Sequence, residues 1–157
     1  MRVCALSFGL LLVCAAGMAR AQSQYVERAD VLPEAAGTRT VAVDQVVGTG
    51  EEATRGRFVV IHYEGWVHDP KAPDRKGVKF DSSRDRGPTL SVLVGVNRMI
   101  TGLDRGILGM RVGGKRSLLV PPKLGYGTRL AYGEVPPNST LLFEVELFDV
   151  VPEQNVP

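Results

Sequence analysis

The segment Val-Lys-Phe-Asp-Ser-Ser-Arg-Asp-Arg, residues 78–86, combines features that are not typical of a buried strand. It contains the aromatic residue Phe80 together with the charged residues Asp81, Arg84 and Arg86, and a Gly-Pro break follows it. One interpretation is a strand end that runs into an exposed salt-bridge corner, which adds little stability. The other is a binding site, in which Phe80 lines an apolar cleft and an arginine at the rim holds Asp81. The flanking segments are needed to distinguish the two.

Alternating apolar and polar residues on both sides of this segment predict a β-rich chain. In one such run, Val59, Ile61 and Tyr63 share a face, and Gly65 with Trp66 suggests a bulge near the strand end. The alternation between residues 140 and 150 is typical of an antiparallel strand with one buried face. The segment 68–77 is rich in Asp, Pro and Lys and predicts a loop. The predicted strands cover residues 40–47, 57–67, 78–82, 90–94, 115–120 and 140–150.

One short helix is predicted after the fourth strand. Asn97 is a suitable N-cap, and Ile100, Leu103 and Ile107 recur at helical spacing on one face. Interspersed glycines weaken this helix and keep it short. Its apolar face is buried most economically against the concave face of a twisted antiparallel sheet, so the predicted fold class is α+β. The loop at 121–139 is long for a compact domain and carries tyrosines and prolines, which favours a functional role.

The first 21 residues have the organisation of a secretory signal peptide. A short positive start precedes an apolar run from residue 3 to residue 16, and Ala19-Arg20-Ala21 satisfies the small-x-small cleavage rule. A membrane anchor is the weaker interpretation, because the run is too short for a spanning helix. Acylation at Cys14 is disfavoured because Val13 precedes it. We therefore expect cleavage after Ala21 and a periplasmic or secreted protein.

Cleavage changes what the composition implies. Both cysteines, Cys4 and Cys14, leave with the signal, so the mature chain can form neither a disulfide nor a Cys-ligated metal site. Two of the 19 Lys and Arg residues leave as well, so 17 acidic residues balance the rest and no basic field remains for nucleic acid. The mature chain has the size of one domain. The predicted parts are a signal peptide at 1–21, a flexible lead-in at 22–39, a domain at 40–150 and a tail at 151–157.

Six separated motifs, in order between about residues 40 and 150, resemble the FKBP-type peptidyl-prolyl isomerases. The motifs are Val60-Ile61-His62-Tyr63-Glu64-Gly65, Phe80-Asp81-Ser82-Ser83, Met99-Ile100-x-Gly102-Leu103, Met110-Arg111-Val112-Gly113-Gly114-Lys115-Arg116, Leu124-Gly125-Tyr126-Gly127 and Pro136-Pro137-Asn138-Ser139-Thr140-Leu141. The family fold is an antiparallel half-barrel wrapped around one short helix, which agrees with the predicted layout. In this family the proline pocket lies between the helix and the sheet.

The resemblance implies a catalytic and a substrate-binding set of residues. The catalytic residues are Tyr63, Phe80, Asp81 and Tyr126; the substrate-binding residues are Arg86, Leu90, Met99, Ile100, Leu103, Val135 and Phe143. The substrate proline would lie among Tyr63, Phe80, Ile100 and Phe143. Substrate carbonyls would meet the Tyr126 hydroxyl and the Val135 amide, while Asp81 would accept from Tyr63 and pair with Arg86. For Phe143 an ordinary core role stays open, because it lies on an alternating core strand.

The implied reaction is rotation about the bond that precedes proline. Its barrier is about 18–20 kcal/mol and no covalent bond breaks, so neither a cofactor nor a metal is expected. The expected partners are proline-containing polypeptides, without nucleic acid or a membrane span, and the expected state is a monomer. The alternative is a non-catalytic peptide-binding module or chaperone that uses the same cleft.

Three positions depart from the best-known members of the family. Leu103 stands where the pocket floor is commonly Trp, Leu90 replaces an aromatic residue of the wall, and Glu134 replaces an aliphatic residue of the long loop. A smaller floor removes about 50 Å² of apolar contact, or about 1.3 kcal/mol, so we expect weak binding of macrolide inhibitors. The long 68–77 segment is a tolerated surface insertion or, less favourably, a site for clients or metal through His68 and Asp69.

Overall fold

The computed structural model describes residues 37–132 and 134–151 of the 157-residue chain. Its elements in chain order are the strands and helices β1 (Val41–Val46), β2 (Phe58–His68), β3 (Lys76–Ser82), α1 (Ser83–Arg86), β4 (Leu90–Leu93), α2 (Thr101–Ile107), β5 (Lys115–Val120) and β6 (Leu141–Val151). Short 3-10 turns lie at Pro73–Arg75 and Pro122–Leu124. The predicted signal peptide, residues 22–36 of the lead-in and residues 152–157 of the tail lie outside the described residues.

The six strands form one antiparallel sheet in the order β1-β5-β6-β2-β3, with β4 also paired to β2. β3 pairs with the second half of β2, from Glu64 to His68, and β4 pairs with the first half, from Phe58 to Ile61. Both strands therefore use the same edge of β2, and α1 lies in the chain between them. After Ser82 the chain leaves the sheet at this gap and forms α1. The gap lies beside His62 and Tyr63 of β2.

The main core lies between α2 and the concave face of the sheet. Leu103 and Ile107 of α2 belong to one buried cluster with Val59 and Ile61 of β2 and with Leu147 of β6. A smaller cluster on the other side of the sheet joins β1, β5 and β6 through Val41, Val43, Leu119 and Leu142. The predicted α+β class, a half-barrel around a short helix, is confirmed. The helical stripe and the strand alternation are satisfied by one packing arrangement.

Several boundaries differ from the sequence-based prediction. α2 begins at Thr101 after the N-cap Ile100, so the prediction of Asn97 as N-cap was wrong. Asn97 instead has a φ of 59° and donates its backbone N–H to Asp104 of the helix. Residues 76 and 77, predicted as loop, begin β3. The polar corner forms the four-residue helix α1, so the part of the chain that the structure describes has two α-helices where one was predicted.

The connection between β2 and β3 is a compact surface feature. His68 pairs with Lys76, and the Lys76 ammonium lies 4.3 Å from the centroid of the Trp66 ring. Asp69 Oδ1 accepts a hydrogen bond from the Lys71 backbone N–H at 2.9 Å.

Within residues 37–132 and 134–151, no helix is long and apolar enough to cross a membrane.

Two glycines let α2 approach the sheet closely. A Cβ atom on Gly102 would lie 2.3 Å from Val120 Cγ1 and 2.9 Å from Thr40 Oγ1, and one on Gly106 would lie 2.5 Å from Leu118 Cδ1. Val120 and Leu118 are fully buried, and the branched side chain of Val120 has little rotamer freedom. These glycines therefore shorten the helix but also permit its packing against β5.

We expect Gly102→Ala to destabilise the domain by up to about 2 kcal/mol. Alanine adds at most about 1 kcal/mol of helix propensity, while overpacking a filled core costs about 1–3 kcal/mol. Urea unfolding of Gly102→Ala, Val120→Ala and the double variant measures the effect. Val120→Ala should cost less in the Gly102→Ala background, because it removes the clashing methyl groups. Additive effects of the two substitutions would show that the contact is not limiting.

Candidate active site

A three-residue network connects the gap in the sheet to its concave face. Tyr63 on β2 donates its hydroxyl to Asp81 Oδ2 on β3 at 2.6 Å. Arg86, the last residue of α1, donates Nη2 to the Tyr63 hydroxyl at 2.7 Å and pairs through Nη1 with Asp81 Oδ1. The Asp81 side chain is 11% exposed, whereas the Arg86 side chain is 54% exposed. The arginine therefore closes the network from the solvent side, and the binding-site interpretation of the segment 78–86 fits better than a plain surface corner.

The network keeps its groups in defined protonation states. Burial, followed by the hydrogen bond to the Asp81 carboxylate, raises the pKa of Tyr63 to about 12. Hydrogen bonds to Asp81 and to Tyr63 raise the pKa of Arg86 above its already high ordinary value. Tyr63 is thus a neutral phenol and Arg86 a cation at any physiological pH. The Asp81 carboxylate faces one neutral donor and one charged donor.

Serines at the corner anchor this network to the backbone. Ser83 is 1% exposed, and its Oγ accepts from the Tyr63 N–H at 2.9 Å and donates to the Tyr63 carbonyl at 3.2 Å. Ser82 caps α1, because its Oγ accepts from the Asp85 N–H at 3.2 Å. The Ser-Ser pair therefore fixes the turn that brings Arg86 back over Tyr63. Both serines belong to the motif Phe80-Asp81-Ser82-Ser83, but the sequence did not predict this role for them.

A cavity of about 300 Å³ opens beside the network, between α2, the sheet and the long loop. Its walls are Tyr63, Asp81, Leu90, Arg98, Met99, Ile100, Leu103, Tyr126, Tyr132 and Phe143. Leu103 is 5% exposed and belongs both to the core and to these walls. Phe143 is likewise both a buried core residue and a residue of the cavity wall. The two interpretations left open for this residue are therefore compatible. Most of the wall is apolar, with a carboxylate and a guanidinium as its charged groups.

Four aromatic rings stack along one side of the cavity. The Phe80 ring lies edge-on to Phe143, with centroids 5.7 Å apart, and edge-on to Tyr126 at 6.1 Å. Tyr132 contacts the Phe80 and Tyr126 rings at 6.0 and 5.8 Å. Gly65 makes room for this stack, because a Cβ atom there would lie 2.8 Å from Phe143 and 2.9 Å from Phe80. Phe80 thus supports three rings of the wall from behind.

Asp104 of α2 shapes the opposite wall. It is 1% exposed, and its carboxylate accepts from the backbone N–H groups of Gly95 at 2.9 Å and Asn97 at 3.0 Å. These bonds hold the turn that leads directly into Arg98, Met99 and Ile100. The sequence analysis did not identify Asp104, because an acidic residue on a short helix is usually solvent-exposed.

The long loop places its residues unevenly. Burial is the largest cause of the raised pKa of Tyr126, and a hydrogen bond with Tyr132 adds to it, so Tyr126 is a neutral hydroxyl donor. The Val135 side chain is 1% exposed in the core, and its backbone N–H donates to the Ala131 carbonyl at 3.0 Å. In this structure that amide is hydrogen-bonded within the chain, whereas the resemblance implies that it meets a substrate carbonyl. Tyr132 and Arg98, which sequence reasoning did not select, line the cavity instead.

Replacement of Tyr63 by Phe should change how stability depends on high pH. Because the folded-state pKa is about 12 and that of an unfolded tyrosine is about 10, the protonated phenol stabilises the fold below pH 10. That stability is lost as the pH rises from 10 to 12. The difference in urea midpoint between wild type and Tyr63→Phe should therefore shrink across this interval. A difference that stays constant would show that Tyr63 titrates normally in the fold.

The antiparallel sheet, its short helix and the largely apolar cavity beside two tyrosine hydroxyls match the layout that the sequence predicts. Comparison with known proteins agrees. The family described as FKBP-type peptidyl-prolyl cis-trans isomerase matches residues 49–148. The FK506-binding protein of Neisseria meningitidis serogroup A is 47% identical over 103 residues, which cover 66% of this chain and 88% of that protein.

Two further similarities come from a larger protein and from a solved structure. Human peptidyl-prolyl cis-trans isomerase FKBP10 is 48% identical over 99 residues, 63% of this chain and 16% of its own length. The crystal structure of AtFKBP13 has a TM-score of 0.61 and 39% identity, and the match covers 70% of this chain and 91% of that one. The chain belongs to the FKBP-type peptidyl-prolyl cis-trans isomerases, which confirms the predicted resemblance. It is an isomerase that acts on proline-containing polypeptides.

Proposed function

We propose that this isomerase acts on exported polypeptides and rotates the X-Pro bond in the 300 Å³ cavity by desolvation and hydrogen bonding. The observation that carries the proposal is the cavity itself, in which apolar and aromatic walls adjoin the Asp81, Tyr63 and Arg86 network. A proline ring is small and apolar, and it fits a wall of this kind. The signal-like residues 1–21 support export, with a periplasmic or secreted enzyme as the product of cleavage near Ala21.

Each part of the site has a role in lowering the barrier. The apolar walls remove water from the imide carbonyl, which favours the twisted state that has lost its amide resonance. The neutral Tyr126 hydroxyl exchanges its hydrogen bond with Tyr132 for one to a substrate carbonyl, and the Asp81 network holds the Tyr63 wall in place. A thousandfold acceleration requires about 4 kcal/mol. Hydrogen bonds of about 1 kcal/mol each, together with desolvation, are sufficient for this.

NMR exchange spectroscopy tests the proposal directly. Short peptides with Leu or Phe before Pro are mixed with the purified protein from residue 22 onward, and the cis/trans exchange rate is compared with that of the peptide alone. Exchange several hundredfold faster or more is expected. Peptide shifts that titrate without faster exchange would assign the cleft to peptide binding alone, as in a chaperone.

Mass spectrometry of the exported protein tests cleavage after Ala21, and light scattering tests the expected monomer.

We expect macrolides to bind weakly, with Leu103 as the main cause. Leu103 forms part of the cavity wall at α2, and Leu103→Trp should recover about 1.3 kcal/mol of apolar contact. The expected result is an affinity about tenfold tighter in Leu103→Trp, measured by calorimetry with FK506 as the probe. Leu108→Trp, at the residue that directly follows this helix and outside the cavity walls, is the control. Nanomolar affinity of the wild type would overturn this expectation.

A further inference from the structure

One charged side chain of the cavity wall has no partner among the residues that the structure describes. Asp81 and Arg98 are the charged residues among its walls, and Asp81 is already paired with Arg86. Within residues 37–132 and 134–151, Arg98 forms no ion pair and no hydrogen bond through its side chain. Arg84, Arg86, Arg111 and Arg116, by contrast, each pair with an acidic residue. The network on the Asp81 side is neutral overall, so the wall that carries Arg98 gives the cavity a positive charge.

The backbone of Arg98 is held in place. The Asp104 carboxylate accepts from Gly95 and from Asn97, the residue immediately before Arg98. Met99 and Ile100, which follow it, also line the cavity. Arg98 is solvent-exposed, but its backbone lies on a wall that these hydrogen bonds hold in place. A ligand therefore meets this charge at a defined place.

Arg98 lies within reach of the residues that flank a bound proline. The family resemblance places the proline ring against Ile100, two residues away, and Cα atoms two residues apart are separated by at most about 7 Å. An extended arginine side chain spans a similar distance. A planar guanidinium matches a carboxylate in a bidentate geometry. An Asp or Glu side chain next to the proline is the group that this arrangement suits.

We propose that Arg98 makes this isomerase prefer substrates with an acidic residue directly before or after the proline. The inference rests on the proposed function and adds the substrate class of the same site. The interaction is exposed, so the expected preference for Glu over Gln at the flanking position is about two- to fivefold in the catalysed exchange rate. Added salt should reduce this preference, because exposed charges are screened.

The test uses peptides that differ in one flanking residue. Glu, Gln and Lys are placed before the proline in one series and after it in another, and each catalysed rate is divided by the uncatalysed rate of the same peptide. Wild type should favour Glu over Gln and disfavour Lys. Arg98→Gln should abolish the discrimination, Arg98→Lys should keep part of it, and Arg98→Glu should reverse it. Arg105→Gln is the matched control, because Arg105 is exposed on α2 outside the cavity walls.

The outcomes separate this proposal from the proposed function. Equal Glu and Gln rates in wild type, or discrimination that persists in Arg98→Gln, would overturn the role of Arg98 while leaving the isomerase intact. Absence of acceleration with every peptide, including Leu-Pro, would instead overturn the proposed function. Thermal unfolding of each variant shows whether it is folded, and a reversed preference in Arg98→Glu cannot arise from misfolding.

Discussion

Replacing Asp81 by alanine should lower kcat/KM for Leu-Pro peptides by about 10- to 100-fold. The substitution removes the acceptor of the Tyr63 hydroxyl and the counter-ion of Arg86 in one step. Hydrogen bonds to a charged group are worth about 1.5–3 kcal/mol, and each 1.4 kcal/mol is a factor of ten in rate. Tyr63, which forms a cavity wall, would lose the contact that orients its ring.

NMR exchange rates measure this effect, with circular dichroism to verify the fold. Asp81→Asn should lose less activity than Asp81→Ala, because an amide oxygen can still accept from Tyr63 but no longer balances the arginine. Asp85→Ala is the matched control: Asp85 has a side chain that is 64% exposed and pairs with Lys79 outside the cavity. Its activity should stay within twofold of wild type. An Asp81→Ala protein that is as active as Asp85→Ala would show that the network does not support catalysis.

Replacing Asp104 by alanine should destabilise the domain by about 3–5 kcal/mol. Two backbone N–H groups, of Gly95 and Asn97, would lose a charged acceptor, and such bonds contribute about 1.5–3 kcal/mol each. The carboxylate also lies in the first turn of α2, where it complements the helix dipole. Because the freed turn carries Arg98, Met99 and Ile100, KM should rise even where the protein remains folded.

Urea unfolding measures the loss of stability. The dependence of the catalysed exchange rate on peptide concentration, at low urea, measures KM. Asp104→Asn keeps one acceptor oxygen, so it should recover about half of the lost stability. Arg105→Ala, at the next and exposed position of the same helix, should change stability by less than about 0.5 kcal/mol. Equal midpoints for Asp104→Ala and Arg105→Ala would show that the buried carboxylate is not needed to hold the turn.

The fold was largely predictable because its signals are local. Alternation together with turn residues placed the six strands within about two residues of their observed bounds, as for β5 at Lys115–Val120 and β6 at Leu141–Val151. The spacing of Leu103 and Ile107 identified the buried face of α2. α1 was missed because four residues are too few for a helical period. Asn97 was misassigned because asparagine suits an N-cap as well as it suits the left-handed turn conformation that Asn97 adopts.

The site was predictable only in part. The family motifs pointed to Tyr63, Asp81 and Arg86, and the structure joins the three side chains in one network. Arg98 and Tyr132 carry no periodic or motif signal, so only their positions on the folded cavity wall reveal them. The Val135 amide could not be judged from the sequence either, since its partner is the carbonyl of Ala131 across a loop bridge.

The sequence by itself determined the strands, the buried face of α2 and the family, because residue order and hydrophobic spacing encode these directly. The resemblance already implied the contacts of Asp81 with Tyr63 and Arg86, and the structure contains both. The tertiary structure alone decided that Asp104 turns inward to hold a backbone turn. It alone also leaves Arg98 on the cavity wall without a partner among the described residues. Such contacts depend on which side chains meet between the sheet and the helix. The distances between these side chains are set only when the chain has folded.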